Sequence, residues 1–296
     1  MRIAHITDIH VTVPPKISQL FGKRLLGTLN LYVFGRNSHF SQKTYDALDK
    51  ALDEQKPDVL VVTGDLTSQA TPQEFDAALD LWTPIFNRQT TVVMPGNHDL
   101  YTRDSEKNDW MQDRFATWMG EGPWPRVHRV NDFLSIVAVQ VCRPDILSSG
   151  KIKAADLKRL NEILEEEASQ NRKALIAAHY PLRGRDGEPH GPRSRAIVNK
   201  EALEEVLTKH SDSITAFVHG HEHHGYRTEI PGSNGRHIPS FDPGSSGYAW
   251  LPNQNRTAHF NVYNVSRESI EVDRFTYRGD KECFLPEEGG AYATGR

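Results

Sequence analysis

The chain has 296 residues, with 35 Lys or Arg against 39 Asp or Glu and a formal charge of −4. That balance argues against a non-specific polyanion binder, whose domain would be basic, and a charged fraction of 25 % is too ordinary for a disordered chain. A chain of this length can bury about three quarters of its unfolded surface, so a sizeable core needs no covalent staples.

Apolar runs alternate with amphipathic stretches. Ile3 to Ile6 reads as a short buried strand, and residues 41–56 as a helix with Ser41 at its N-cap and Pro57 as its stop. DVLVVT (58–63) is a β-branched buried strand. A helix over 72–87 begins with Pro72 at its first position, and TTVVMP (90–95) is the next strand. Residues 105–119 read as a helix, 133–141 as a strand, 153–170 as a charged helix and 174–178 as a strand. A helix over 200–209 precedes a strand over 214–218. After about residue 225 short strands take over, near 226–230, 236–240, 258–265 and 269–277, which makes the chain α/β with a β-rich last quarter. The expectation is one domain over 1–280 and a loose tail over 281–296. Cys142 and Cys283 make no disulfide framework and lack zinc-knuckle spacing, which suits a reducing compartment. The first residues lack the apolar core of a signal peptide, and no run approaches the ~18 apolar residues of a membrane span. The expected location is cytoplasmic, or peripheral at a membrane surface.

Ligand-type residues stand just past the ends of successive predicted strands: Asp8 and His10, Asp65, Asn97 and His98, His179, then His221 and His223. In open α/β sheets the carboxyl ends of the strands are where ligands bind, so residues far apart in sequence would meet in one crevice. Each piece alone has a plain structural explanation, such as a strand-end polar pair or a turn with a satisfied histidine. Together, D-x-H, G-D, G-N-H-D, a lone His and G-H-x-H, in this order and spanning Asp8 to His223, resemble the calcineurin-like metallophosphoesterase family. DPGSSG (242–247) resembles that family's Pro-Gly-Ser strand.

The resemblance implies a four-layer αββα sandwich with two mixed sheets, and two adjacent metal sites. Asp8, His10, Asp65 and His223 would hold one ion, and Asp65, Asn97, His179 and His221 the other, with Asp65 bridging. In HGHEHH the G-H-x-H frame selects His221 and His223 over His219 and His224. Imidazole, carboxylate and amide donors without cysteine suit two divalent ions of Mn, Fe, Zn or Co, with Mn favoured, better than Ca or Mg. Two such ions with a bridging hydroxide would cleave a phosphodiester or pyrophosphate by in-line displacement. His98 is the candidate acid for the leaving oxygen; Asp99 either orients His98 or stabilises its turn.

Two segments bear on the substrate. Residues 16–36 place Ile17, Leu20, Phe21, Leu25, Leu29, Tyr32 and Val33 at helical spacing, punctuated by Lys16, Lys23, Arg24 and Arg36. The stretch either faces lipid at a membrane surface or packs its apolar side into the core. It also resembles the insertion of UDP-2,3-diacylglucosamine pyrophosphatase-like members, which makes a nucleotide-lipid pyrophosphate the first expected substrate and a cyclic nucleotide or glycerophosphodiester the second. A loop over 182–195 carries Arg183, Arg185, Arg193 and Arg195, which either contact substrate phosphate or are solvated. Stable nucleic-acid binding is disfavoured, since no extended basic run exists. The resemblance leaves homo-oligomers open, and the sequence carries no specific interface signal.

Overall fold

A computed structural model describes residues 1–33 and 35–293. Phe34, the side chain of Arg36 and residues 294–296, all named in the expectations above, lie outside the described residues. In chain order the elements are β1 (Arg2–Ile6), α1 (Lys23–Thr28), α2 (Gln42–Gln55), β2 (Val59–Val62), α3 (Pro72–Phe86) and β3 (Thr90–Val93). Then come α4 (Arg103–Lys107), α5 (Trp110–Met119), β4 (Arg126–Arg129), β5 (Leu134–Ala138), α6 (Ala154–Ser169) and β6 (Lys173–Ala177). The chain closes with α7 (Lys200–Lys209), β7 (Ile214–Val218), β8 (Tyr226–Pro231), β9 (His237–Asp242), β10 (His259–Val265), β11 (Ile270–Arg278) and β12 (Cys283–Pro286).

The strands form two mixed six-stranded sheets, ordered β12-β11-β10-β1-β2-β3 and β4-β5-β6-β7-β9-β8. Within them β1, β2 and β3 run parallel, as do β5, β6, β7 and β9. The period-2 alternation of each strand builds the layers. Ile3, Val59, Val61 and Val92 meet Leu134, Ile136, Leu175 and Ala216 between the sheets. On the far face of the first sheet, Ala4, Leu60 and Val62 pack under α2, α3 and α5 through Leu48, Phe75, Trp82 and Phe115. On the far face of the second, Val137, Ala174 and Ile176 pack under α6 and α7 through Leu160, Leu164 and Leu203. This is the expected α/β architecture of two sheets with helices outside. No helix among the described residues is long and apolar enough to cross a membrane.

Several local expectations change. The helix expected over 105–119 is two helices, parted where Asp109 adopts φ 48°. The strand β4 lies where no strand was expected, because RVHR shows no apolar alternation. The tail expected over 281–296 is bound in its described part: β12 pairs with β11, and Tyr292 donates from its hydroxyl to the Asp242 carbonyl at 2.9 Å. Residues 16–33 are broken helix, a 3-10 turn at Ile17–Gln19, then α1, then a π-type turn over Leu29–Val33. Their polarity is inverted relative to a core-packed hairpin. Ile17 (89 %), Leu26 (67 %) and Val33 (69 %) are exposed, whereas Arg24 is 2 % exposed. Arg24 anchors the segment by donating to the carbonyls of Gln69 (3.1 Å) and Ala70 (2.8 Å) and to Asp104 (2.5 Å).

The turn that receives Arg24 leads into α3, whose start is over-determined. Thr71 caps the helix by accepting from the Glu74 amide (3.2 Å), and Pro72 fills the first position. Glu74 is fully buried and accepts from the amides of Gln69 (2.9 Å) and Thr71 (3.2 Å). Burial pushes its carboxyl up to about 7 against the pull of those amides. A raised folded pKa means the folded chain holds this proton more tightly. The contribution is therefore complete below about pH 4.5 and is lost as pH rises through 7, a change of up to about 3 kcal/mol. Glu74→Gln is expected to flatten that part of the pH dependence, measured as urea midpoints between pH 5 and 8; an unchanged slope would assign it to other groups.

Candidate metal centre

The parallel strands of both sheets end at one edge, and the loops that follow them supply the expected donors. Asp8 and His10 follow β1, Asp65 follows β2, Asn97 and His98 follow β3, His179 follows β6, and His221 and His223 follow β7. Asp8, His10, Asp65 and His223 each offer a donor atom, and these atoms lie within 4.8 Å of one another. All four residues are buried. On the other side of Asp65, His179 Nε2 lies 3.4 Å from Asp65 Oδ2 and 3.0 Å from Asn97 Oδ1, which is 2.8 Å from His221 Nδ1. Asp65 Oδ2 also lies 3.6 Å from His10 Nε2, so one carboxylate oxygen faces both halves. Its Oδ1 is taken by the His98 amide at 2.7 Å.

The loops reach this geometry through unusual backbone. Asp8 (φ 52°), His10 (56°), Asp65 (55°), His221 (79°) and His223 (59°) all occupy left-handed conformations. Asp and His tolerate that region better than most residues, yet each instance costs of order 1–3 kcal/mol. The glycines of the motifs serve close approach. A Cβ on Gly96 would stand 2.1 Å from Asp65 Oδ1, and one on Gly220 would stand 2.0 Å from Thr7 Oγ1 and 2.4 Å from Asp8 Oδ2. Both loops therefore sit on top of the carboxylates they help to orient. Asp8 Oδ2 accepts from Thr7 Oγ1 and from the His221 amide, both at 2.9 Å, which ties the two sheets together at the site.

The hydrogen-bond partners decide which imidazole nitrogens carry protons. Carbonyl oxygens can only accept, so His10 Nδ1 donates to Thr67 O (3.3 Å), His179 Nδ1 to Thr63 O (2.7 Å) and His221 Nε2 to Arg195 O (3.1 Å). His10 and His221 then turn a lone pair inward, toward other acceptors, whereas Asp65 raises His179 to about 9 against the pull of burial and takes its Nε2 side at 3.4 Å. His10 Nε2 meets His223 Nε2 at 3.0 Å, and His223 Nε2 lies 3.1 Å from Asp8 Oδ1, an oxygen left without a directed hydrogen bond. Crowded acceptors in a dry pocket repel unless a cation lies between them, so the donor set fits divalent metal ions. Burial raises both carboxyls, but neighbouring imidazole charges prevail. His223 and His179 hold Asp8 down, and His179 above all, by charge and hydrogen bond, holds Asp65 well below the usual carboxylate range. Burial, with His179 beside it, lowers His221 to about 3, and burial holds His10 well below its usual value, which keeps both rings neutral as ligands must be.

His98 stands half-buried beside this cluster, edge-on to His10 (centroids 4.8 Å apart) and stacked on Tyr101 (5.3 Å). Its Nδ1 donates to Ser68 O at 2.6 Å. Asp99 does not orient His98 as one expectation had it. It takes the other expected role, accepting from the amides of Gly96 (2.9 Å), Leu66 (3.2 Å) and Thr67 (2.9 Å) and so binding two loops together. Arg183 is committed to Glu204 by a bidentate pair at 2.7 and 2.9 Å, which removes it from the phosphate set. Arg185, Arg193 and Arg195 are exposed, and only the carbonyl of Arg195 reaches the cluster. DPGSSG is a loop rather than a strand beyond Asp242; in it Ser245 Oγ donates to the Asp8 carbonyl at 2.7 Å. Sequence reasoning missed Tyr248, whose hydroxyl pairs with His223 Nδ1 at 2.8 Å. Nothing in its local sequence signals that contact.

A profile of the calcineurin-like phosphoesterase family matches residues 1–225. A probable cyclic nucleotide phosphodiesterase from Vesicomyosocius okutanii subsp. Calyptogena okutanii (strain HA) is 27 % identical over 197 residues, covering 66 % of this chain and 73 % of the relative. A crystal structure of a dimetal phosphatase from Danio rerio matches with a TM-score of 0.60 at 14 % identity, covering 92 % of this chain and 98 % of that one.

Asp65→Ala is expected to leave a folded protein that retains no metal, read by elemental analysis after loading with Mn²⁺ and dialysis. Gly220→Ala is expected to weaken retention at least tenfold, because its Cβ displaces the Asp8 carboxylate. Wild-type metal content in Asp65→Ala would overturn the assignment of the centre.

Proposed function

Because the chain belongs to the calcineurin-like phosphoesterase family, whose members hydrolyse phosphoester bonds, we propose that it cleaves a small phosphodiester at the centre formed by Asp8, His10, Asp65, Asn97, His179, His221 and His223. The observation that carries this reading is the convergence of buried donor atoms of Asp8, His10, Asp65 and His223 within 4.8 Å of one another, with Asp8 Oδ1 left without a hydrogen bond. Asp8, His10, Asp65 and His223 would hold one ion, and Asp65, Asn97, His179 and His221 the other. Divalent ions there would supply polarisation of the phosphoryl oxygens and an acidified water. A Lewis acid of the transition series suits these donors.

The remaining chemistry belongs to the chain. His98 Nδ1 keeps its proton on Ser68 O, so the ring acts as an acid in its imidazolium form, gives the second proton from Nε2 and is left as the neutral Nδ1–H imidazole. Transfer from Nε2 to the departing alkoxide neutralises that oxygen as the bond to phosphorus breaks. The stacked Tyr101 fixes the ring plane, and Lys23, whose Nζ lies 4.1 Å from the centre of the same Tyr101 ring, links the 16–33 segment to this acid. Asp99, locked on three amides, keeps the His98 loop in register with the Asp65 loop.

Among small diesters a cyclic nucleotide comes first, supported by the curated relative. A lipid-linked pyrophosphate such as UDP-2,3-diacylglucosamine is the second reading. It is favoured by the exposed apolar side chains of Ile17, Phe21, Leu26 and Val33, joined by Ile146 and Leu147. The segment stands beside the centre, since Asn30 and Leu31 share a small cavity with His10 and His98. A hydrolysis panel of cyclic AMP, a glycerophosphodiester and UDP-diacylglucosamine with Mn²⁺ separates these readings.

His98→Ala is expected to lower kcat about 10²-fold for a diester with an alkyl leaving group. The loss should be far smaller for bis-p-nitrophenyl phosphate, because p-nitrophenolate departs without a proton. Equal losses would remove the acid role. Replacing Phe21 and Leu26 by Ser is expected to slow turnover of the lipid-linked pyrophosphate alone if the second reading holds; parallel losses on both substrates would exclude it.

A further inference from the structure

On the side of His223 away from the 16–33 segment, the centre opens into a cleft that the hydrolytic chemistry does not use. Its volume is about 530 Å³, in the range of small-molecule sites. It begins at His223 and Tyr248 and runs along the edge formed by β10, β11 and β12, with Trp250, Arg185, Arg256 and Arg278 in its wall. A pocket that adjoins a phosphoryl centre receives whatever group the phosphate carries.

Two of these side chains are fixed in advance. Trp250 is half-buried and packs on the backbone of Gly279, where a Cβ would stand 2.4 Å from the indole Cε3. Glycine at 279 is therefore what lets the indole occupy its place in the wall. Arg256 donates from Nη1 to His39 Nδ1 at 3.0 Å and holds its guanidinium 5.8 Å from the Tyr248 ring centre. Arg278 is committed to Asp280 at 3.1 and 3.0 Å, and Glu287 at the far end is paired with Arg274 at 3.1 Å. The wall thus presents a preset aromatic face and guanidinium to a ligand, beside the polar side chains of His224, Asn255, Thr276 and Glu288 and with the exposed Arg185 at the rim. Preorganised groups lose little conformational freedom on binding.

That pairing suits a planar, π-rich group bearing hydrogen-bond acceptors. A bare glycerol would leave the indole unused, and an acyl chain would desolvate the arginines without pairing them. We propose that the cleft binds the base of a nucleoside phosphate ester, with Trp250 stacking on the ring and Arg256 donating to its acceptor atoms. The placement of the phosphate end rests on the phosphodiesterase reading above; the recognition of the base does not.

The test is isothermal titration of Mn²⁺-loaded protein with adenosine 5′-monophosphate and with ribose 5-phosphate, which share the phosphate and sugar and differ in the base. The nucleotide is expected to bind at least tenfold more tightly. Trp250→Ala should abolish that ratio and Trp250→Phe should keep most of it. Equal affinity for the two ligands in the wild type overturns the proposal without requiring any variant to fold, even if bis-p-nitrophenyl phosphate is hydrolysed. A ratio that survives Trp250→Ala in folded protein overturns it as well. A retained ratio in the wild type, lost in Trp250→Ala, supports the cleft assignment, and failure to hydrolyse any diester would then count against the phosphodiesterase reading alone.

Discussion

The arrangement depends on one buried carboxylate. Asp65 sits at 1 % exposure with its two oxygens divided between tasks. Oδ1 is fixed by the His98 amide, while Oδ2 faces His10 on one side and His179 on the other. A charge so placed is tolerable only if cations or protonated partners compensate it. Among the side chains His179 answers that charge, since burial lowers its pKa but Asp65 raises it to about 9. Ions at the centre would replace that compensation, which links occupancy of the site to the stability of the loops around it.

The cost of placing Asp65 is spread over the molecule. Five donor residues hold left-handed backbone, a strain that neighbours must over-determine if it is to persist. The structure supplies them from both sheets. Asp65 O accepts from the amides of Ile9 and His10 at 3.0 and 2.9 Å, Asp99 binds the two loops on either side, and Ser245 secures Asp8 from the distant β9–β10 connection. Motif glycines are required for the same reason, since Gly96 and Gly220 each leave room for a carboxylate that a Cβ would occupy.

The two flanks of the centre differ in chemical character. On one side an apolar segment stands open to solvent, anchored by the buried guanidinium of Arg24. On the other an aromatic and cationic cleft reaches out from His223. Hydrolysis itself needs neither. Such asymmetry around an invariant chemistry is how one fold serves different substrates, with the reaction set by the donors and the selection set by the walls.

The strand–helix alternation and the order of the donors are legible in the residues alone, because both are local signals. Apolar periodicity marks β2 or α7 within a few residues, and a histidine after a strand is visible as such. The sequence also carried the motif glycines, although not the overlaps they prevent. The packed fold set which ring nitrogens of His10, His179 and His221 donate, through the carbonyls of Thr67, Thr63 and Arg195. It decided likewise the role of Asp99, the loss of Arg183 to Glu204, the pairing of Tyr248 with His223 and the docking of the tail through β12. The physical reason is common to these cases. Each depends on the direction of a hydrogen bond or the company of a charge, and those partners stand tens to hundreds of residues away. Residues 16–33 show the limit most plainly, since helical spacing ranked their apolar faces while one arginine's access to two buried carbonyls settled which side turned inward.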